Sequence, residues 1–234
     1  MMATIVSAKE VTKSYQRKRA LDSFSIEISD GKILGLLGPN GSGKTTFMKM
    51  LAGLLRSTGG EVTIDGQKPG VYTKSIVAYL PDVNFLPKWM KIKDAINFYK
   101  DMFKDFDEKK CHELLEFMAL NEDDRVTALS KGMLEKLNLS LTLARKAKLY
   151  ILDEPLGGVD PVAREKIIDA ILNNFTEGCT MIVTTHLVND IERLFDDVAF
   201  ISKGKIVLQG NAEELRIEKG VSIDELYREV FKEC

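Results

Sequence analysis

The chain has 234 residues, with 33 Lys and Arg against 35 Asp and Glu and a formal net charge of −2. That length suits one large α/β domain or a domain with an insertion, and the balance of charge argues against nucleic acid as a partner. Three scattered cysteines (Cys111, Cys179, Cys234) and two histidines offer no metal spacing. No secretory pattern opens the sequence, and no apolar run approaches the ~20 residues needed to cross a bilayer. The expectation is a reduced, cytosolic chain that needs a separate subunit to act at a membrane.

In chain order, residues 4–11, 23–28 and 61–64 are short and rich in β-branched side chains. The turn pairs Asp30-Gly31, Gly59-Gly60 and Asp65-Gly66 punctuate them, predicting an antiparallel sheet near the N-terminus. Arg17-Lys18-Arg19 reads as a solvated hairpin tip, with a nucleic-acid or phosphate patch as the alternative. The run Ile33-Leu34-Gly35-Leu36-Leu37 reads as a buried strand, Thr46 opens a helix running to Ala52, and residues 76–80 are a further strand candidate. From Asp82 to about Arg145 the spacing turns helical. Ile92, Ala95, Ile96, Tyr99 and Phe103 share one face, and Leu114, Leu115 and Met118 share another. Leu134, Leu137, Leu141 and Ala144 lie on a helix expected at 133–145.

Beyond Leu149, strand and helix alternate. Strands are expected at 149–152 and 181–184, a helix capped by Asp160 with Pro161 at its first position, and a helix at 188–195. Segments 198–202 and 205–208 bracket the turn Lys203-Gly204, and Ser222-Ile223-Asp224-Glu225 is a capping box. The fold class is therefore α/β, in one domain over residues 1–234. It has a mostly parallel core sheet, an N-terminal antiparallel β flank, and an α-helical subdomain inserted at about 82–146.

Gly38-Pro39-Asn40-Gly41-Ser42-Gly43-Lys44-Thr45 lies between the strand ending at Leu37 and the helix from Thr46. Its glycines let successive backbone N–H groups turn inward around a phosphate, and the helix dipole favours the same charge. Lys44 supplies a cation for the outer phosphates, and the Thr45 hydroxyl can ligate Mg²⁺, as in a P-loop NTPase. Leu149-Tyr150-Ile151-Leu152-Asp153-Glu154 is an apolar strand ending in two carboxylates, at the strand end where ligands bind in such sheets. Asp153 would hold Mg²⁺ beside Thr45, and Glu154 could polarise an attacking water. His186, after the strand at 181–184, is placed to donate to a γ-phosphate. Ser130 and Gly132 at a helix start offer a second anion site, although serine there also serves as an ordinary cap.

Together these residues resemble the ATP-binding-cassette (ABC) transporter ATPases over nearly the whole chain. Gly38 to Thr45 are similar to the family's Walker A motif, and Tyr150 to Glu154 to its Walker B motif and catalytic glutamate. Leu129-Ser130-Lys131-Gly132-Met133 is similar to its signature, Gly157-Gly158-Val159-Asp160 to its D-loop, and His186 to its switch histidine. The resemblance implies that Tyr15 stacks on adenine. Two departures stand out. Asp82, after Tyr79-Leu80-Pro81, replaces a usual glutamine, and the signature carries Lys131 and Met133 where glycine and glutamine are usual. Asp82 is a candidate Mg²⁺ ligand, with a helix cap as the alternative.

By resemblance the chain binds ATP with Mg²⁺ and packs head to tail with a second copy or a paralogous ATPase. It would drive a membrane-spanning transporter subunit from the cytoplasmic face of the cell membrane, as a peripheral protein. With these variants the chain looks similar, by analogy, to ATPases of bacterial exporters, including antibiotic and bacteriocin resistance systems. An ABC-type protein acting on DNA or ribosomes would carry long coiled-coil insertions or a second ATPase unit, and a P-loop kinase would not need Glu154 after Asp153. Phe85, Leu86, Trp89 and Met90 are unexplained by the neighbouring helix's core stripe. They form either a docking groove for the membrane subunit or part of the interior.

Overall fold

The computed structural model describes residues 3–16, 18–175 and 178–232, so Arg17 and Cys234 lie outside the described residues. In chain order come β1 (Thr4–Tyr15), β2 (Lys18–Ser29), β3 (Ile33–Leu37), α1 (Lys44–Leu51), β4 (Gly59–Ile64), α2 (Val71–Ile76) and β5 (Val77–Leu80). Then follow α3 (Ile92–Met102), α4 (Glu108–Phe117), α5 (Lys131–Leu143), β6 (Leu149–Asp153), α6 (Pro161–Asn174), β7 (Thr180–Thr185) and α7 (Val188–Ile191). The remaining elements are β8 (Asp197–Ser202), β9 (Lys205–Asn211), α8 (Ala212–Lys219) and α9 (Ile223–Phe231).

β1, β2 and β4 form an antiparallel sheet in the order β2-β1-β4. The second sheet runs β5-β6-β7-β3-β8-β9, with five parallel strands and β9 antiparallel on its edge. Every residue of β3, β6 and β7 is buried, as expected for parallel strands covered on both faces. Strand alternation sorts their side chains into two cores. Leu34, Leu36, Leu149, Ile151 and Ile182 face the antiparallel sheet and α1, where Phe24 and Phe47 meet. Ile33, Leu37, Tyr150, Leu152 and Val183 face the core that the helices share. α3, α4 and α5 all lie between β5 and β6, and their buried residues join that second core.

The main departures from the sequence expectations are local. Ile76 ends the short helix α2 instead of opening a strand, and α2 and α8 are helices for which no expectation was formed. The expected helix at 188–195 is α7 followed by a 3₁₀ turn over Glu192–Leu194. α5 starts at Lys131, two residues earlier than expected, because the Ser130 hydroxyl caps the N–H of Met133 at 3.2 Å. It ends at Leu143, which leaves Arg145 beyond the helix. The four residues around Trp89 divide: Leu86 and Met90 are buried in the helical core, whereas Phe85 and Trp89 are exposed, Trp89 at 70%. Asp82 does not cap the helical segment. α3 begins ten positions later, with its N-terminal turn held by Asp94 accepting from the Lys91 N–H at 2.9 Å.

Candidate functional site

The phosphate loop connects β3 to α1 and is wedged between two other elements. A side chain at Gly38 would strike the Ile201 carbonyl of β8, and Gly43, at φ 117°, would place a Cβ 2.6 Å from the Ala20 carbonyl of β2. The loop's far side is held by the Gly204 N–H donating to Ser42 O at 2.8 Å. Lys44 is buried, and its ammonium donates to the carbonyls of Gly38 at 2.6 Å and Pro39 at 3.2 Å. Burial pulls this ammonium below the usual lysine range, and the carboxylates of Glu154 and Asp153 oppose that pull.

Asp153 and Glu154 leave the end of β6 in different environments. Asp153 is 1% exposed and accepts from the Thr184 hydroxyl at 2.6 Å. Burial pushes its carboxyl above the usual range. The hydroxyls of Thr184 and Thr45 counter the push, while Asp82 and Glu154 add to it. Oδ2 of Asp153 and the hydroxyl of Ser42 are buried with no partner in hydrogen-bond geometry. Glu154 turns away with φ 54°. Its N–H donates to the carbonyl and hydroxyl of Thr184 at 3.1 and 3.0 Å, and its carboxylate accepts from the His186 N–H at 3.2 Å. Nδ1 of the His186 ring lies 2.8 Å from the same carboxylate oxygen.

These groups open onto a cleft of about 290 Å³. It is lined by the predicted Tyr15, Asn40, Gly41, Gly43, Lys44, Thr45, Thr46, Asp82 and Glu154, with Lys18 and Ala20 in addition. Gly38, Pro39 and Ser42 form the loop's underside, Asp153 lies beneath it, and His186 reaches it through Glu154. Ser130 and Gly132 do not line this cleft. Lys18 belongs to the run for which the solvated tip was favoured over a phosphate patch. The β1–β2 hairpin instead folds its ammonium over the loop at Gly41. A larger hollow of about 350 Å³ lies among Met50, Arg56 and Val62. It shares no residue with the loop and carries none of this chemistry.

The donor set fits a triphosphate with Mg²⁺. The loop offers amides, a lysine cation and a threonine hydroxyl, and the orphaned oxygens of Asp153 and Ser42 have valences left for such a ligand. The comparisons agree. Residues 21–157 match the family model described as ABC transporter. The uncharacterized ABC transporter ATP-binding protein YxlF of Bacillus subtilis (strain 168) is 31% identical over 225 residues, covering 94% of this chain and 75% of its own. The linearmycin resistance ATP-binding protein LnrL of the same organism is 29% identical over 219 residues, covering 90% of this chain and 70% of its own. A solved ATP-binding subunit of an ABC transporter superposes with a TM-score of 0.88 at 24% identity, over 97% of this chain and 100% of that one.

The fold and the site thus define a P-loop ATPase. The chain belongs to the ABC transporter family, as an ATP-binding cassette that hydrolyses ATP.

Proposed function

We propose that this cassette powers export through a separate membrane-spanning subunit, at the cytoplasmic face of the membrane, working as one of a pair. The observation that carries the reading is the division of the site. Phosphate loop, metal-side carboxylate and Glu154 meet around one cleft, while Ser130 and Gly132 lie outside it. A second cassette, a copy or a paralogue, would bring its own Ser130 and Gly132 to the open side. No helix among the described residues is long and apolar enough to cross a membrane. Residues 82–146 act as the helical subdomain, and exposed Phe85 and Trp89, with Phe98 and Met102 on α3, are its docking surface for the membrane subunit. The name of the linearmycin resistance relative supports the export direction.

Within the cleft, Tyr15 stacks on the base, and the loop amides, Lys44 and Lys18 take the phosphates. Thr45 and Asp153, with Asp82 nearby, would hold Mg²⁺, which neutralises charge on the outer phosphates. Glu154 accepts the proton of the attacking water. His186 orients that carboxylate through Nδ1 and presents its other nitrogen to the γ-phosphate. A positioned general base contributes about 10²–10⁴-fold. Glu154→Gln should therefore lose hydrolysis by about that factor, retain ATP, and elute as an ATP-dependent dimer. Near-normal turnover would remove Glu154 from the role, and a monomer with ATP bound would remove the pairing.

A further inference from the structure

The lysine that interrupts the signature, Lys131, has a partner in the same chain. Its side chain lies flat over Gly158, and a Cβ built on that glycine would strike the ammonium and stand 2.5 Å from Cε and 2.9 Å from Cδ. Gly158 has φ 73°, so its lack of a side chain serves both the turn and the lysine above it. Beside it, Gly132 of α5 packs toward Val159, with 3.8 Å between the Cβ site and a valine methyl. The first turn of α5 therefore covers the apex of the segment that begins at Glu154.

That segment is held at both ends. Glu154 sits at φ 54°, a conformation that is costly for a non-glycine residue and persists only when its surroundings impose it. Thr184 holds its N–H, and the Gly157 N–H donates to its carbonyl at 2.9 Å. At the far end, Asp160 caps α6 by accepting from the Ala163 N–H at 3.1 Å, and Arg164 donates to the Val159 carbonyl at 2.9 Å. The Gly157–Gly158 apex between these anchors contains the least side-chain material and is covered by Lys131. The ammonium also lies near Glu135, one turn along α5, whose carboxyl burial pushes up to about 7 against the pull of the Lys131 charge.

We propose that Lys131 is a positioning residue for hydrolysis, pinning the Gly157–Gly158 apex and so fixing the backbone that aims Glu154. The proposal rests on Glu154 acting in hydrolysis. It makes the departure in the signature a device that ties the Ser130 end of α5 to the hydrolytic turn of the same subunit.

The test is steady-state Mg-ATP hydrolysis by the full chain, with Glu154→Gln as a control and thermal melting measured alongside. Lys131→Ala should lower kcat about five- to tenfold, since small misplacements of a reacting group are costly. KM and melting temperature should stay near wild type, because ground-state binding is untouched. Lys131→Arg should recover most of the rate. Unchanged kcat in Lys131→Ala overturns the proposal. So does a rise in KM alone, which would make Lys131 a nucleotide contact, or a kcat loss that follows the melting temperature. An active Glu154→Gln control would instead refute the assignment of Glu154.

Discussion

Opposite ends of β5 and β6 carry buried charge, and the two ends treat it differently. At the start of these strands Arg145 is 4% exposed and fully engaged. Its guanidinium donates to Asp105 at 2.9–3.2 Å and to the carbonyls of Val77 at 2.6 Å and Ser75 at 3.3 Å. It also lies 4.1 Å from the centre of the Phe103 ring. At the other end Asp153 is equally buried, yet one of its oxygens has no hydrogen-bonded partner, and Lys44 is folded back onto its own loop. Burial costs both charges, and only Arg145 recovers that cost inside the chain. The contrast separates a structural brace from a binding site: the first is complete without a ligand, and the second is completed by one.

The largest effect should come from the brace. Arg145→Ala leaves Asp105 and the carbonyls of Val77 and Ser75 without their donor and should destabilise the chain by about 3–5 kcal/mol, the usual cost of breaking a buried pair. Denaturant unfolding measures this, and a loss under 1 kcal/mol would erase the contrast.

Trp89→Ala is next and should act on assembly alone. Because Trp89 is 70% exposed, melting and basal hydrolysis should hold while binding to the membrane subunit weakens by about 2 kcal/mol if it is a hot spot. Leu86→Ala, at its buried neighbour, should instead cost about 2–5 kcal/mol of stability. A destabilised Trp89→Ala protein that still assembles would move Trp89 to the interior.

Asp82→Ala should be smaller. Asp82 lines the cleft and caps no helix, so its loss should raise the Mg²⁺ concentration needed for half-maximal hydrolysis by about tenfold, the lower end of the scale of outer-shell metal effects. Unchanged metal dependence would remove Asp82 from the metal side of the site.

What the sequence discloses differs between the two ends for the same reason. The nucleotide end is legible because phosphate binding demands particular backbone conformations, and glycines at 38, 41 and 43 advertise them. The Asp160 cap and the Ser222 box, which the structure forms as expected, are equally local. Arg145 looked like the last residue of a helix, since its partners Asp105 and Val77 are 40 and 68 residues distant. The weight on Lys18 fell wrongly for a similar reason: a basic run looks more solvated than phosphate-binding until a hairpin folds it over the loop. Ser130 shows a mixed case. Its anion-site and capping readings were both open, and the cap is what sets α5 two residues earlier than the glycine at 132 suggested. Around Trp89 an aromatic-rich loop was visible, but which side chains turn inward depended on how the loop sits against α3 and α5.

The central claim, that the protein leaves Asp153 unsatisfied until Mg-ATP arrives, makes a prediction of sign. A carboxyl whose pKa is raised by folding costs stability as pH rises from its unfolded value through its folded one, so at neutral pH the charge is a net cost. Asp153→Asn keeps the oxygen facing Thr184 and removes that charge. It should melt higher than wild type without ligand, by an amount of order 1 kcal/mol. With saturating Mg-ATP the order should reverse, because wild type gains the binding energy of its metal site and the variant gains less. Melting curves of the two proteins, with and without Mg-ATP, test this directly. Crossed curves are the predicted result, and an Asp153→Asn protein that melts lower without ligand, or gains as much from Mg-ATP as wild type does, would contradict the account.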